Sequence, residues 1–172
     1  MLLIHHETGE PIPQDLVQKI KKASTFNQGF ATTEFLASAL MDMKLHTTDP
    51  NEIDMETFEE ETLDELNMPS QIVMRHRTPH FGHVFSGEGY ATGYYGHLWA
   101  DVLTSDAAEA FREAPGGFYD EEIARKLVKY LFAPRNAMDP AEAYRLFRGH
   151  NAKIDALMRD RGFPVPSEEE NM

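Results

Sequence analysis

Apolar residues recur at helical spacing along almost the whole chain. After Pro11 and Pro13, the residues Leu16, Val17, Ile20 and Ala23 form one stripe. From Phe30 to Leu45, the residues Phe30, Ala31, Phe35, Leu36, Ala39, Leu40 and Met43 leave little polar circumference, the pattern of a helix buried among others. Beyond the acidic break Thr48-Asp-Pro-Asn51, the residues Met55, Phe58, Thr62 and Leu66 mark a Glu-rich amphipathic helix. Its run Glu59-Glu60-Glu61 reads as a solvated face. The stretch from Pro69 to Gly89 is irregular, broken by Pro79 and by the pair Gly87 and Gly89.

A long helix is predicted from about Tyr90 to Phe111, ending before Pro115-Gly-Gly117, and Ile123, Ala124, Leu127, Val128 and Leu131 mark the next one. Asp139-Pro-Ala-Glu142 has the form of a helix start: an acidic cap, proline at the first helical position and a glutamate in the capping-box place. That helix should stop at Gly149. Asn151 is expected to cap the last helix, which carries Ile154, Leu157 and Met158 and stops at Gly162 before Pro164. Strand-like alternation and internal repeats are absent. The expected fold is all-α: one compact multi-helix domain over residues 1–165, followed by a loose tail over 166–172.

Composition narrows this little except by exclusion. The 172 residues are 41% hydrophobic and 26% charged, ordinary for a globular domain. The net charge of -13 repels phosphate backbones, so nucleic acid is not an expected partner. With no cysteine there is neither a disulfide framework nor a thiolate ligand or nucleophile. No apolar run approaches the roughly 20 residues that span a bilayer. Met1-Leu-Leu-Ile4 runs straight into His5-His6-Glu7, too short for a signal-peptide core and without a basic start. A cytoplasmic protein, with no membrane partner, is expected.

Two clusters could carry chemistry. His76, His80 and His83 have spacings of four and three, which would stack three imidazoles on a helix and suggest a metal site. Pro79 opposes a continuous helix there, since it drives Thr78 out of the α region. The plainer reading is three histidines at a core edge making hydrogen bonds. The second cluster lies in Gly87-Glu-Gly-Tyr-Ala-Thr-Gly-Tyr-Tyr-Gly-His97. Tyr90, Tyr94 and His97 fall at i, i+4 and i+7, which on a helix puts two phenols and an imidazole on one face. Gly87 and Gly89 just before them would allow unusual dihedrals and a close approach. Such donors can stabilise negative charge on a carbonyl oxygen. An aromatic stripe packed in a core, with hydroxyls at its edge, fits the spacing equally well. The chain has no His-Glu-x-x-His, no Gly-x-Ser-x-Gly elbow and no phosphate-binding glycine loop. No complete catalytic apparatus is present.

The segment Phe81-Gly-His-Val-Phe-Ser-Gly-Glu-Gly-Tyr-Ala-Thr-Gly-Tyr-Tyr-Gly-His-Leu-Trp-Ala-Asp-Val-Leu103 resembles the region after the zinc site in the thimet oligopeptidase/peptidyl-dipeptidase family, which includes oligopeptidase A-like enzymes. Thr8-Gly-Glu-Pro11, Phe26-Asn-Gln-Gly-Phe-Ala31 and Met68-Pro69 resemble the part before it. Phe147-Arg-Gly149, Ile154-Asp-Ala-Leu157 and Arg161-Gly162 resemble the C-terminal end, so the likeness runs in order from Glu7 to Phe163.

The resemblance implies the C-terminal portion of the helical catalytic region of a zincin-type oligopeptidase that hydrolyses short peptides with one zinc ion. It places the zinc ligands and general base upstream of this chain, so no metal ligand is assigned here and the chain alone is expected not to be catalytic. What carries over is the substrate-facing group. His83 matches a histidine ahead of the glycine loop, Gly87 and Gly89 match the mobile loop, and Tyr90 and Tyr94 match tyrosines that bind peptide and stabilise the tetrahedral intermediate. His97 departs from the pattern, where a tyrosine usually stands; an imidazole can still donate a hydrogen bond. The expected partners are short peptides and the missing zinc-binding portion. The alternative is a stand-alone helical module that binds peptides or proteins without catalysis, possible as a homodimer through exposed apolar surface.

Overall fold

The computed structural model describes residues 4–165, so the expected tail over 166–172 lies outside the described residues. Eight α-helices make up most of it, joined by short 3₁₀ turns. The described residues form no strand, only one antiparallel bridge between Ile4 and Pro11. The all-α expectation holds.

Helix α1 (Gln14–Ala23) starts after Pro13 and is amphipathic as predicted, yet none of its residues is buried. Leu16 and Ile20 of the predicted stripe remain 44% and 56% exposed. The chain then turns through Asn27, in the left-handed region at φ 57°, into α2 (Gln28–Thr47). This helix is the floor of the molecule, with Ala37, Ser38, Ala39, Met41 and Asp42 buried along it. Met41 packs with Phe58 and Met74, and Leu45, Ile53 and Leu63 close around them.

Phe58 and Thr62 point inward from α3 (Phe58–Glu65). Glu59 corrects the reading of the Glu59–Glu61 run as solvated. Its side chain is largely covered, its Oε2 accepts the Thr78 N–H at 2.9 Å, and its Oε1 pairs with Arg77 at 2.6 Å. An acidic residue at the start of a helix was free to reach sideways to a donor 19 residues on, a contact the local pattern does not encode.

The irregular stretch is irregular as expected, holding a 3₁₀ turn at Thr78–His80, the one-turn helix α4 (Gly82–Phe85) and another 3₁₀ turn at Glu88–Tyr90. The long helix α5 (Gly96–Glu113) begins six residues later than predicted. Thr92 takes a left-handed φ of 58°, which ends any helix running back toward Tyr90.

Asp120 caps α6 (Glu121–Leu127) by accepting the Glu122 and Ile123 N–H groups at 3.0 and 3.1 Å. One π turn, Val128–Phe132, follows it. Helix α7 (Pro140–Arg148) starts and stops where the sequence indicates: Asp139 accepts the Glu142 N–H at 2.9 Å, and Gly149 leaves the helix at φ 86°. The last helix, α8 (Asp155–Asp160), is headed by Ile154 rather than Asn151. The Asn151 amide oxygen is engaged instead by Arg145 at 3.2 Å, which corrects the expected cap.

Charged contacts fasten these helices to α5. Tyr144 and Arg148 of α7 both reach the buried carboxylate of Asp106, at 2.7 and 3.4 Å, and Arg148 grips Glu113 through both terminal nitrogens at 2.7 and 2.9 Å. From α8, Arg159 pairs with Glu109, with a shortest contact of 2.6 Å. Just beyond it, Arg161 bridges Asp101 of α5 at 2.9 Å and Thr32 of α2 at 3.0 Å. None of the helices among the described residues is long and apolar enough to cross a membrane.

Candidate functional site

The predicted site residues come together, but not on one helix. His83 stands on α4, Tyr90 closes a 3₁₀ turn, Tyr94 belongs to the turns of residues 91–95 and His97 lies in the first turn of α5. The expectation of a shared helical face for Tyr90, Tyr94 and His97 is therefore wrong, and what joins them is the fold of the turn. The Tyr90 ring lies over His83 with centroids 4.3 Å apart and over His97 at 5.1 Å, both stacked. The two imidazoles face each other with their Nε2 atoms 3.2 Å apart, so one donates a proton to the other's lone pair.

Tyr94 stands edge-on to His97 at 5.4 Å and to Phe81 at 4.9 Å, and its own face stacks on Phe35 of α2 at 4.8 Å. Each such aromatic contact contributes about 0.5–1.5 kcal/mol beyond burial. Burial pushes the Tyr94 phenol above its ordinary range, with the Arg75 charge opposing that shift. Tyr94 therefore keeps its hydroxyl proton and remains a donor throughout the neutral range. Tyr90, His83 and His97 are exposed, so one side of the cluster faces solvent.

Gly87 and Gly89 lie beside this cluster, but their conformations do not demand glycine. Gly87 is fully extended at φ 177°, and a Cβ at either position would meet nothing within 4 Å. The expected close approach is not made within the described residues.

Of the other histidines, His76 stacks on Phe81 at 4.5 Å and His80 closes the 3₁₀ turn after Pro79. Neither joins His83, and no group of three His, Asp or Glu side chains among the described residues is placed to hold a metal ion. The zinc implied by the family resemblance therefore does not fit the donor set of the described residues. His83 and His97 are engaged with each other, and no carboxylate among the described residues converges on them.

Sequence reading missed the groups on α2 that support the cluster. Asp42 accepts the Thr92 and Tyr94 N–H groups at 3.0 and 3.1 Å, and His46 contacts its carboxylate at 3.0 Å. The available signal was Asp42 four residues before His46, within the apolar run from Phe35 to Leu45.

The profile of the family described as Peptidase family M3 matches residues 2–163. Among curated proteins, the chain is 35% identical to the dipeptidyl carboxypeptidase of Salmonella typhimurium over 162 residues, covering 92% of this chain and 23% of that protein. It is 34% identical to the Escherichia coli dipeptidyl carboxypeptidase, covering 94% of this chain and 24% of that protein. It is 32% identical to Escherichia coli oligopeptidase A, covering 92% and 23%. The chain thus spans about a quarter of the length of the relatives it matches. A family profile matching nearly every described residue, around a helical site of phenols and imidazoles, makes this chain a member of peptidase family M3.

Proposed function

We propose that the exposed side of the His83, Tyr90, Tyr94 and His97 cluster is the peptide-binding surface of an M3 peptidase, and that this chain supplies the substrate-holding part of such an enzyme without its metal site. The observation that carries the reading is the convergence of four polar rings from four separate elements. In peptide hydrolysis the scissile carbonyl oxygen gains negative charge, and a fixed donor lowers the barrier by stabilising it. Tyr94 has the right properties: a ring wedged between Phe35 and Phe81, and a hydroxyl that burial keeps protonated. Tyr90 and the imidazole pair offer a flat face and N–H groups for the peptide backbone. Gly87 and Gly89, unhindered beside them, would let the loop follow a bound peptide. In an active assembly, losing one such donor costs about 10²–10³ in rate.

No group of side chains among the described residues is placed to hold a metal ion, so by itself the chain should bind peptide and not cleave it. Incubating the purified chain with a short fluorogenic peptide, with zinc and with chelator, tests this. Binding without turnover supports the reading, and chelator-sensitive turnover overturns it. Tyr94→Phe should weaken binding, and unchanged affinity would remove Tyr94 from the proposed role.

A second observation favours a protein partner. A groove of about 900 Å³ opens between α5, the π turn and α7, and its walls include Trp99, Phe111, Phe118, Leu131, Phe132 and Tyr144. Trp99, Phe118 and Phe132 are each more than half exposed. Together with the uncovered stripe of α1, this is apolar surface of the kind that marks an interface. The proposed occupant is the remainder of an M3 enzyme; a homodimer is the alternative. Sedimentation of the chain alone decides between them: a monomer leaves the groove for the missing portion, and a stable dimer assigns it to a second copy. A cytoplasmic location accompanies this proposal.

A further inference from the structure

One buried carboxylate lies behind the ring cluster, and the binding reading does not use it. Asp42 is 4% exposed. Its Oδ1 accepts the N–H of Thr92 at 3.0 Å and its Oδ2 accepts the N–H of Tyr94 at 3.1 Å, two main-chain donors 50 and 52 residues away. One turn further along α2, His46 places Nδ1 at 2.8 Å from the Asp42 carbonyl oxygen and 3.0 Å from Oδ1. The His46 ring also stacks on Phe85 of α4, 5.7 Å between centroids, two residues beyond His83.

A carboxylate in that position is costly: taking it out of water is offset only by well-made hydrogen bonds, and an apolar residue of similar size is often as stable or more so. What an apolar residue could not do is hold this turn. Thr92 sits at φ +58°, a conformation that costs a β-branched residue about 1–2 kcal/mol. The Gly93 N–H closes a turn on the Tyr90 carbonyl at 2.9 Å. In a helix extended back to Tyr90, the Tyr94 N–H would take that carbonyl instead, and Tyr90, Tyr94 and His97 would be stacked along one face. With the Tyr94 N–H on Asp42, the turn stays open, Tyr90 folds over the two imidazoles, and Tyr94 is turned edge-on to them.

We propose that Asp42 is the positioning residue of the ring cluster: its carboxylate sets the 91–95 turn, and through that turn the placement of Tyr90 and Tyr94 against His83 and His97. His46 orients the carboxylate from one side while bracing α4 from the other. The functional part of this proposal rests on the cluster being a peptide-binding surface; the structural part does not.

The experiment compares the full chain with Asp42→Asn by amide hydrogen exchange, by ring-to-ring nuclear Overhauser contacts and by titration with tetra-alanine. Asparagine keeps the size but has one acceptor oxygen, so its NH₂ must face one of the two main-chain donors. The expected result is retained helicity, loss of exchange protection at Thr92 and Tyr94, loss of the Tyr90 contacts to His83 and His97, and tetra-alanine affinity lowered about tenfold or more. Tyr94→Phe should weaken affinity while leaving the other ring contacts in place, separating position from donation. A variant that is merely less stable, with ring contacts and the two amides intact below its melting temperature, overturns the proposal. If the wild type binds no tetra-alanine, the peptide-binding reading fails, and the ring contacts and exchange rates still decide the role of Asp42. Should Asp42→Asn fail to fold, the wild type decides: protection at Thr92 and Tyr94 of about 10²-fold or more supports the latch, and free-peptide exchange rates overturn it.

Discussion

Replacing Asp106 with alanine tests how α7 is held to α5. The carboxylate is almost wholly buried and accepts from Tyr144 Oη at 2.7 Å and from Arg148 Nε at 3.4 Å. A hydrogen bond to a charged group contributes about 1.5–3 kcal/mol, and the longer Arg148 contact belongs below that range. Neither partner is orphaned by the change: Tyr144 still reaches the Leu103 carbonyl at 3.2 Å, and Arg148 keeps both contacts to Glu113. Removing a buried charge also removes its desolvation cost. The balance is a loss of about 2 kcal/mol, which for a domain of this size lowers the melting temperature by about 4–8 °C. Urea unfolding of Asp106→Ala, Tyr144→Phe and the double variant measures it, and the cycle should return a coupling of about 1–2 kcal/mol between the two side chains. A coupling near zero, or an alanine variant more stable than wild type, would refute the assignment of this contact as a clamp.

Three further outcomes are expected. The Tyr144 phenol is pushed well above its usual 10, first by burial and then by Asp106. The native state therefore holds a proton that the unfolded chain releases above about pH 10, so stability is complete below that pH and falls by about 1.4 kcal/mol per unit above it. Because burial raises the Tyr94 phenol as well, alkaline stability curves of Tyr144→Phe should be shallower than wild type rather than flat, and identical slopes would contradict the burial argument. Gly149→Ala has open space around its Cβ but a φ of +86°, so it should cost about 1–2 kcal/mol from backbone strain alone, measured by thermal unfolding. Asp139→Ala removes the acceptor of the Glu142 N–H and should cost about 1 kcal/mol; a neutral result would mean that the proline at the first helical position suffices to start α7.

The sequence by itself determined the helical class, most helix positions and the family. Helical periodicity is a local property, written every three or four residues, and capping is more local still. Asp139 needs only the amide three residues on, and Gly149 needs only its own missing Cβ. The same locality explains the failures. The start of α5 was misplaced because its decisive partner, Asp42, lies some 50 residues away on α2. Asn151 resembled a cap because nothing nearby announces Arg145 as its partner. The four predicted rings do meet, yet the reason they meet is not their spacing. The Nε2 atoms of His83 and His97 lie 3.2 Å apart on either side of a turn whose Thr92 and Tyr94 amides donate to Asp42 of α2. Hydrophobic pattern and caps depend on neighbours in sequence, whereas a buried carboxylate's choice of donors depends on which amides folding brings within 3 Å, and only the tertiary structure decides that.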